Sequence, residues 1–120
     1  MAGKALEECY ERVAEIFRAL GHPLRLKIVR ELAASPRNVN WLHERLGGSQ
    51  ANISKHLAVL RDHSIVSRNR QGTENIYKLV SEETLELCGC AFDCIRAQIK
   101  NEVALMDKFE ASEQIFKRNN

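Results

Sequence analysis

The chain has 120 residues, 44% of them apolar, with 18 basic and 16 acidic side chains and a formal net charge of +2. That size and mixture describe a single globular domain over residues 1–120, able to bury a core. No apolar run reaches the roughly 18 residues that a membrane span needs. The net charge is too small to indicate a nucleic-acid partner by itself. The first ten residues carry Glu7 and Glu8 and no apolar signal core, so the expected location is the cytosol, with no membrane partner.

Leu6, Tyr10, Val13, Phe17 and Leu20 recur at steps of four and three, which predicts one apolar face of a first helix. Gly21 stops it, and Pro23 suits the first turn of a second helix whose inner side is Leu24, Ile28, Val29 and Leu32. That helix ends near Ser35-Pro36, because a residue before proline avoids helical geometry. Val39, Leu42 and Leu46 mark a short third helix closed by Gly47-Gly48, with Trp41 in or near the core. Ser49 then caps a fourth helix with the apolar stripe Ile53, Leu57 and Leu60. After His63-Ser64 the period changes to that of strands, Ile65 to Arg68 and Asn75 to Leu79, joined by a hairpin tip at Gln71-Gly72-Thr73. Ser81, Glu83 and Thr84 open a last helix that runs through Leu85, Phe92, Ile95, Ile99, Val103 and Met106.

The expected fold is therefore mainly α with a small β-hairpin. Five helices are arranged as a winged helix-turn-helix, with the third and fourth forming the helix-turn-helix. The second helix of such a unit enters the major groove of DNA with its N-terminal residues forward. Here those residues are Ser49, Gln50, Ala51, Asn52, Ser54, Lys55 and His56. Gln50 and Asn52 can pair bidentately with adenine edges, while Ser49, Ser54 and Lys55 suit phosphates. A helix face that is merely solvated would more often carry Glu and Lys at these places. Between Ser49 and Lys78 five basic residues face two acids, a balance that fits either phosphate contact or a solvated surface. Arg68, Arg70 and Gln71 at the hairpin place positive charge where a wing reaches the neighbouring backbone or minor groove.

The segments Leu20 to Ile28 (LGHPLRLKI), Ser49 to Leu60 (SQANISKHLAVL), and Ile65-Val66 through Gly72 to Tyr77-Lys78-Leu79 resemble the ArsR/SmtB family of metalloregulators. The resemblance covers residues 12–80. It implies a homodimer built on the first and last helices, and a repressor that leaves double-stranded operator DNA when an inducer binds. The family's third-helix thiolate site is absent, since Asn38 and Asn40 stand at its cysteine positions. A zinc site on the last helix is also disfavoured, because that helix has no histidine.

What remains is Cys88, Cys90 and Cys94, three of the four cysteines within seven residues. The cluster resembles the one that some arsenite-responsive members carry at their last helix, which implies As(III) or another thiophilic ion as inducer rather than an obligatory cofactor. At about 100° per residue, Cys90 and Cys94 share a helix face whereas Cys88 points toward the apolar stripe. One straight helix cannot bring three sulfurs to one ion. Gly89 weakens the helix, so a start after Gly89 would let Cys88 fold back; otherwise a further ligand is needed, for which Cys9 is the candidate. The competing reading of Cys9 and Cys88 is simple core packing. The alternative for the whole cluster is a sensor of oxidants or reactive sulfur. A thiol enzyme would need an activating base and a substrate site, for which the residues offer nothing beyond cysteines near a helix start. A winged helix that binds DNA without any inducer is a third alternative.

Overall fold

The computed structural model describes residues 2–118. The order of elements is α1 (Ala2–Leu20), α2 (Pro23–Ala34), β1 (Arg37–Asn38), α3 (Val39–Leu46), α4 (Gln50–Asp62), β2 (Val66–Gln71), β3 (Glu74–Leu79) and α5 (Glu83–Arg118). The chain divides into two units, one up to Leu85 and one from Glu86 onward that consists of the rest of α5.

Local chemistry explains the boundaries. His22 sits in extended conformation at the start of α2 and its ring accepts the Leu24 N–H, with Pro23 supplying a fixed φ in the first turn. Ser35 is extended ahead of Pro36, as expected, and its N–H still bonds Glu31 O. Asn38 caps α3 by accepting the Trp41 N–H at 2.7 Å, and Ser49 caps α4 by accepting the Asn52 N–H at 3.1 Å. Gly47 and Gly48 carry φ of 80° and 77° between these two helices, a turn that a β-carbon would strain.

The core of the first unit is built by Ile28, Val29, Leu32, Leu42, Ile53, Leu57, Leu60, Ile65 and Val66, all buried. They come from α2, α3, α4 and the start of the wing, so the helix-turn-helix and the wing share one core. Glu31, buried on α2, is held by Arg30 at 3.0 Å and by Arg45 of α3 at 3.4 Å. The Arg37 guanidinium lies 3.9 Å from the centre of the half-buried Trp41 ring, a cation–π contact at the edge of that core.

One feature departs from the sequence expectation. The wing is a three-stranded antiparallel sheet in the order β1-β3-β2, not a bare hairpin. Arg37 and Asn38 pair with Tyr77 and Ile76, because Pro36 leaves the chain extended just where β3 offers a free edge. The apolar face of α1 stays uncovered within the first unit. Leu6, Tyr10, Val13 and Phe17 are each more than half exposed, and only Ala19 and Leu20 of this helix enter the core. In the second unit Phe92, Ile95, Ile99, Val103, Met106 and Phe109 are likewise more than half exposed. Among the described residues no helix is long and apolar enough to cross a membrane.

Candidate nucleic-acid interface

The two-glycine turn and the Ser49 cap start α4 with one side on the core and the other in solvent. Ile53, His56, Leu57 and Leu60 turn inward. Gln50, Ala51, Asn52, Ser54 and Lys55 are exposed, and they form a short polar surface with a single charge. Gln50 Nε2 donates to Asn40 Oδ1 of α3 at 3.0 Å, and Asn40 Nδ2 donates to Glu44 at 3.5 Å. This chain of bonds aligns the Gln50 amide and leaves its oxygen and one N–H for another partner. A shallow notch beside it is lined by Asn38, Val39, Asn40, Gln50, Glu74 and Asn75, joining the start of α4 to the wing.

The wing turns at Gly72, whose φ is 63°. Arg68, Arg70 and Gln71 are all exposed. Arg68 and Arg70 lie opposite Tyr77 and Asn75 in the β2–β3 register and share one face, while Gln71 points to the other. Arg70 Nε bonds Gly72 O at 3.3 Å, which holds its guanidinium near the tip. The structure thus brings Gln50, Asn52, Ser54, Lys55, Arg68, Arg70 and Gln71 to the surface. The Ser49 hydroxyl is engaged as a cap and keeps only its own hydrogen to donate.

His56 is a correction. The residue is only 5% exposed, so it cannot serve as a direct DNA contact. Its Nδ1 accepts from Arg25 Nε at 3.0 Å, and its ring lies 4.3 Å from that of His22. Burial, reinforced by the nearby His22, Arg25 and Lys55, pushes its pKa below the ordinary imidazole value. Arg25 escaped the sequence reading, since a single arginine in a second helix carries no spacing signal for a partner in the fourth.

The cysteines are also placed differently from the folded-back arrangement. The last helix begins at Glu83 and continues through Gly89, so it does not start afresh at Cys90. A glycine costs about 1 kcal/mol in a helix interior, which a helix of many turns absorbs. Cys90 and Cys94 are exposed on one face, one turn apart, and Cys88 is half-buried on another. Burial raises the Cys88 thiol pKa and disfavours its thiolate. Cys9 is exposed on α1. Among the described residues no group of three or more His, Cys, Asp or Glu side chains is assembled to hold a metal ion. Within the second unit, Cys88, Cys90 and Cys94 are therefore not gathered on one face.

A helix-turn-helix domain family matches residues 20–68, the stretch from the end of α1 into β2. The HTH-type transcriptional regulator Rv0081 of Mycobacterium tuberculosis is 30% identical over 106 residues, which are 88% of this chain and 93% of that protein. The chain belongs to the ArsR/SmtB family of winged helix-turn-helix transcriptional regulators. Within it, the crystal structure of Rv0081 superposes with a TM-score of 0.71 at 30% identity, covering 79% of this chain and 96% of that one. The biofilm growth-associated repressor of Xylella fastidiosa is 29% identical over 100 residues, 83% of this chain and 88% of that protein. The family repressor SmtB of Mycobacterium tuberculosis is 36% identical over 72 residues, 60% of this chain and 53% of that protein. The chain is thus a transcriptional repressor of the ArsR/SmtB type, and not an enzyme.

Proposed function

We propose that this ArsR/SmtB-type repressor binds double-stranded operator DNA as a homodimer and leaves it when a thiophilic inducer engages the cysteines of α5. The observation that carries the first half is the exposed polar start of α4 beside the exposed Arg68 and Arg70 of the wing. Gln50 and Asn52 read base edges, Ser54 and Lys55 hold phosphates, and the wing contacts the adjacent backbone. Ser49 sets the helix entry and offers its hydroxyl hydrogen to a phosphate.

The exposed apolar faces support the dimer. A soluble monomer rarely leaves stripes such as Leu6, Tyr10, Val13 and Phe17, or Phe92, Ile95 and Ile99, in water. A second copy applied to α1 and α5 removes both from water and sets two recognition helices at a fixed separation. Half-sites about one helical turn of DNA apart require such a separation.

For the inducer, Cys90 and Cys94 offer two accessible sulfurs on one face. Soft thiolates select As(III) and similar ions. A third sulfur comes from Cys88 after local unwinding at Gly89, from Cys9, or from the partner subunit. The exposed, ungathered thiols also favour a second reading, in which an oxidant or a reactive sulfur species is the inducer. Binding of a selected operator duplex, measured with As(III), Cd(II), Zn(II) and polysulfide, distinguishes these readings. Release by As(III) in the wild type but not in Cys94→Ser is the expected result. Release by polysulfide alone selects the second reading, and indifference to all four overturns both.

A further inference from the structure

Arg25 has an unusual set of partners. Its Nη1 donates to Ala19 O at 3.2 Å and to Arg18 O at 3.5 Å, the carbonyls at the end of α1. These belong to the last turn of a helix, which lacks internal donors and favours a cation. Its Nε donates to His56 Nδ1 at 3.0 Å. One guanidinium on α2 therefore joins the end of α1 to the inner side of α4. His56 follows Lys55 directly and lies one turn beyond Asn52, behind the exposed polar face.

We infer that Arg25 and His56 form a latch that positions the recognition helix, and that protonation of His56 opens it, so that operator affinity falls in acid. This rests on the reading of α4 as the DNA-contacting helix. The bond requires Nδ1 of His56 to carry a lone pair, which places the ring hydrogen on Nε2. A proton at Nδ1 sets donor against donor and imidazolium against guanidinium. The groups acting on the ring's charge are His22 just ahead of α2, Arg25 of α2 and Lys55 of its own helix, and each opposes protonation. From α1 the contribution is the pair of carbonyls that hold Arg25 in place. His22 is a second imidazole close by, and its Nδ1 accepts the Leu24 N–H at the start of α2. The two rings must be told apart.

The predicted direction is diagnostic. Added positive charge on a DNA-binding surface strengthens phosphate attraction, so charge alone makes affinity rise as histidines protonate. An opening latch makes it fall. Arg25 and His56 act here through α4 and are positioning residues, with no contact to DNA.

The test begins with a duplex selected by the wild type from a random-sequence pool at about pH 7.5, whose affinity is then followed at constant salt down to about pH 5. The expected result is a loss of roughly tenfold, within the 5- to 150-fold range of ordinary coupling. His56→Gln keeps an acceptor for Arg25 and cannot take up a proton, so its profile should be flat or rise in acid. His22→Asn preserves a helix cap without the imidazole and should retain the wild-type fall. Nitrogen-15 spectra of the wild-type imidazoles, taken without DNA, should show His56 with an unprotonated Nδ1 at neutral pH and titrating below the usual range. A fall that persists in His56→Gln, or vanishes in His22→Asn, overturns the latch. So does a His56 ring protonated at Nδ1 at neutral pH. Failure to select any duplex overturns the operator reading and, with it, the role of the latch in DNA binding; the spectra then still report whether the Arg25–His56 bond exists.

Discussion

Ser49 and Lys55 are both polar residues of the α4 surface, yet they contribute differently. Ser49 accepts the Asn52 N–H and so satisfies a backbone donor that α4 itself cannot. Ser49→Ala should lower stability by about 1 kcal/mol, read as a shift in denaturant midpoint. Lys55 is exposed, and its only role in the proposed interface is charge. Lys55→Ala should weaken operator and random DNA alike and reduce the salt slope of log K by about 1, while leaving the denaturant midpoint nearly unchanged. His56 contributes to stability through its proton. Burial, then His22, Arg25 and Lys55, hold its native pKa below the ordinary imidazole value of about 6.5. The unfolded chain therefore binds more protons in the window between that native value and about 6.5. This contribution to stability is complete above the window and is lost as the pH falls through it, so Tm should drop in that range in the wild type and less so in His56→Gln.

At the level of elements, the two-glycine turn and the length of α5 matter most. Gly47 has open space around its Cβ direction but a φ of 80°, so Gly47→Val strains the backbone rather than the packing and should destabilise the α3–α4 unit. Gly89 is the opposite case, with helical geometry and nothing within 4 Å of an added Cβ. Gly89→Ala should stiffen α5 by about 1 kcal/mol, detectable as higher helix content on heating. The same substitution separates two routes to a three-sulfur ion. If Cys88 joins by unwinding at Gly89, the alanine weakens As(III) binding in a direct titration. If the third sulfur comes from elsewhere, As(III) affinity is unchanged.

For the whole molecule, the decisive feature is the apolar surface exposed on α1 in the first unit and on α5 in the second. The stripes are at helical spacing and would be costly in water, at about 25 cal/mol per Å² of apolar area. Val13→Asp and Ile99→Asp place a carboxylate in those stripes without touching the core of the first unit. Each should shift sedimentation toward the monomer and abolish tight operator binding, with the near-normal fold of the first unit visible by circular dichroism. Operator binding retained by a monomeric variant would contradict the two-half-site reading.

The elements of the winged helix-turn-helix were legible in the chain itself. Apolar spacing, the cap at Ser49, the Ser35-Pro36 break and the Gly47-Gly48 turn all act within a few residues, so local sequence determines them. The exposed polar face of α4 was legible for the same reason, since Ile53, Leu57 and Leu60 define the opposite side. Tertiary structure alone decided the rest. The two residues of β1 are too few to show a period and exist only because β3 offers them an edge. His56 sits within the polar run of α4, yet it shares the inner face with Ile53, Leu57 and Leu60, and only the packed chain shows that its partner is Arg25, thirty-one positions earlier. The apolar periodicity of α1 announced a buried face; only the packed chain shows that no part of the first unit covers it. The cysteine spacing likewise suggested a cluster, and the unbroken helix through Gly89 holds Cys88 away from Cys90 and Cys94. Sequence specified what each segment is, through short-range periodicity and capping. Which surfaces meet, and which side chains remain available for DNA, a second subunit or an inducer, depended on contacts between residues far apart in the chain.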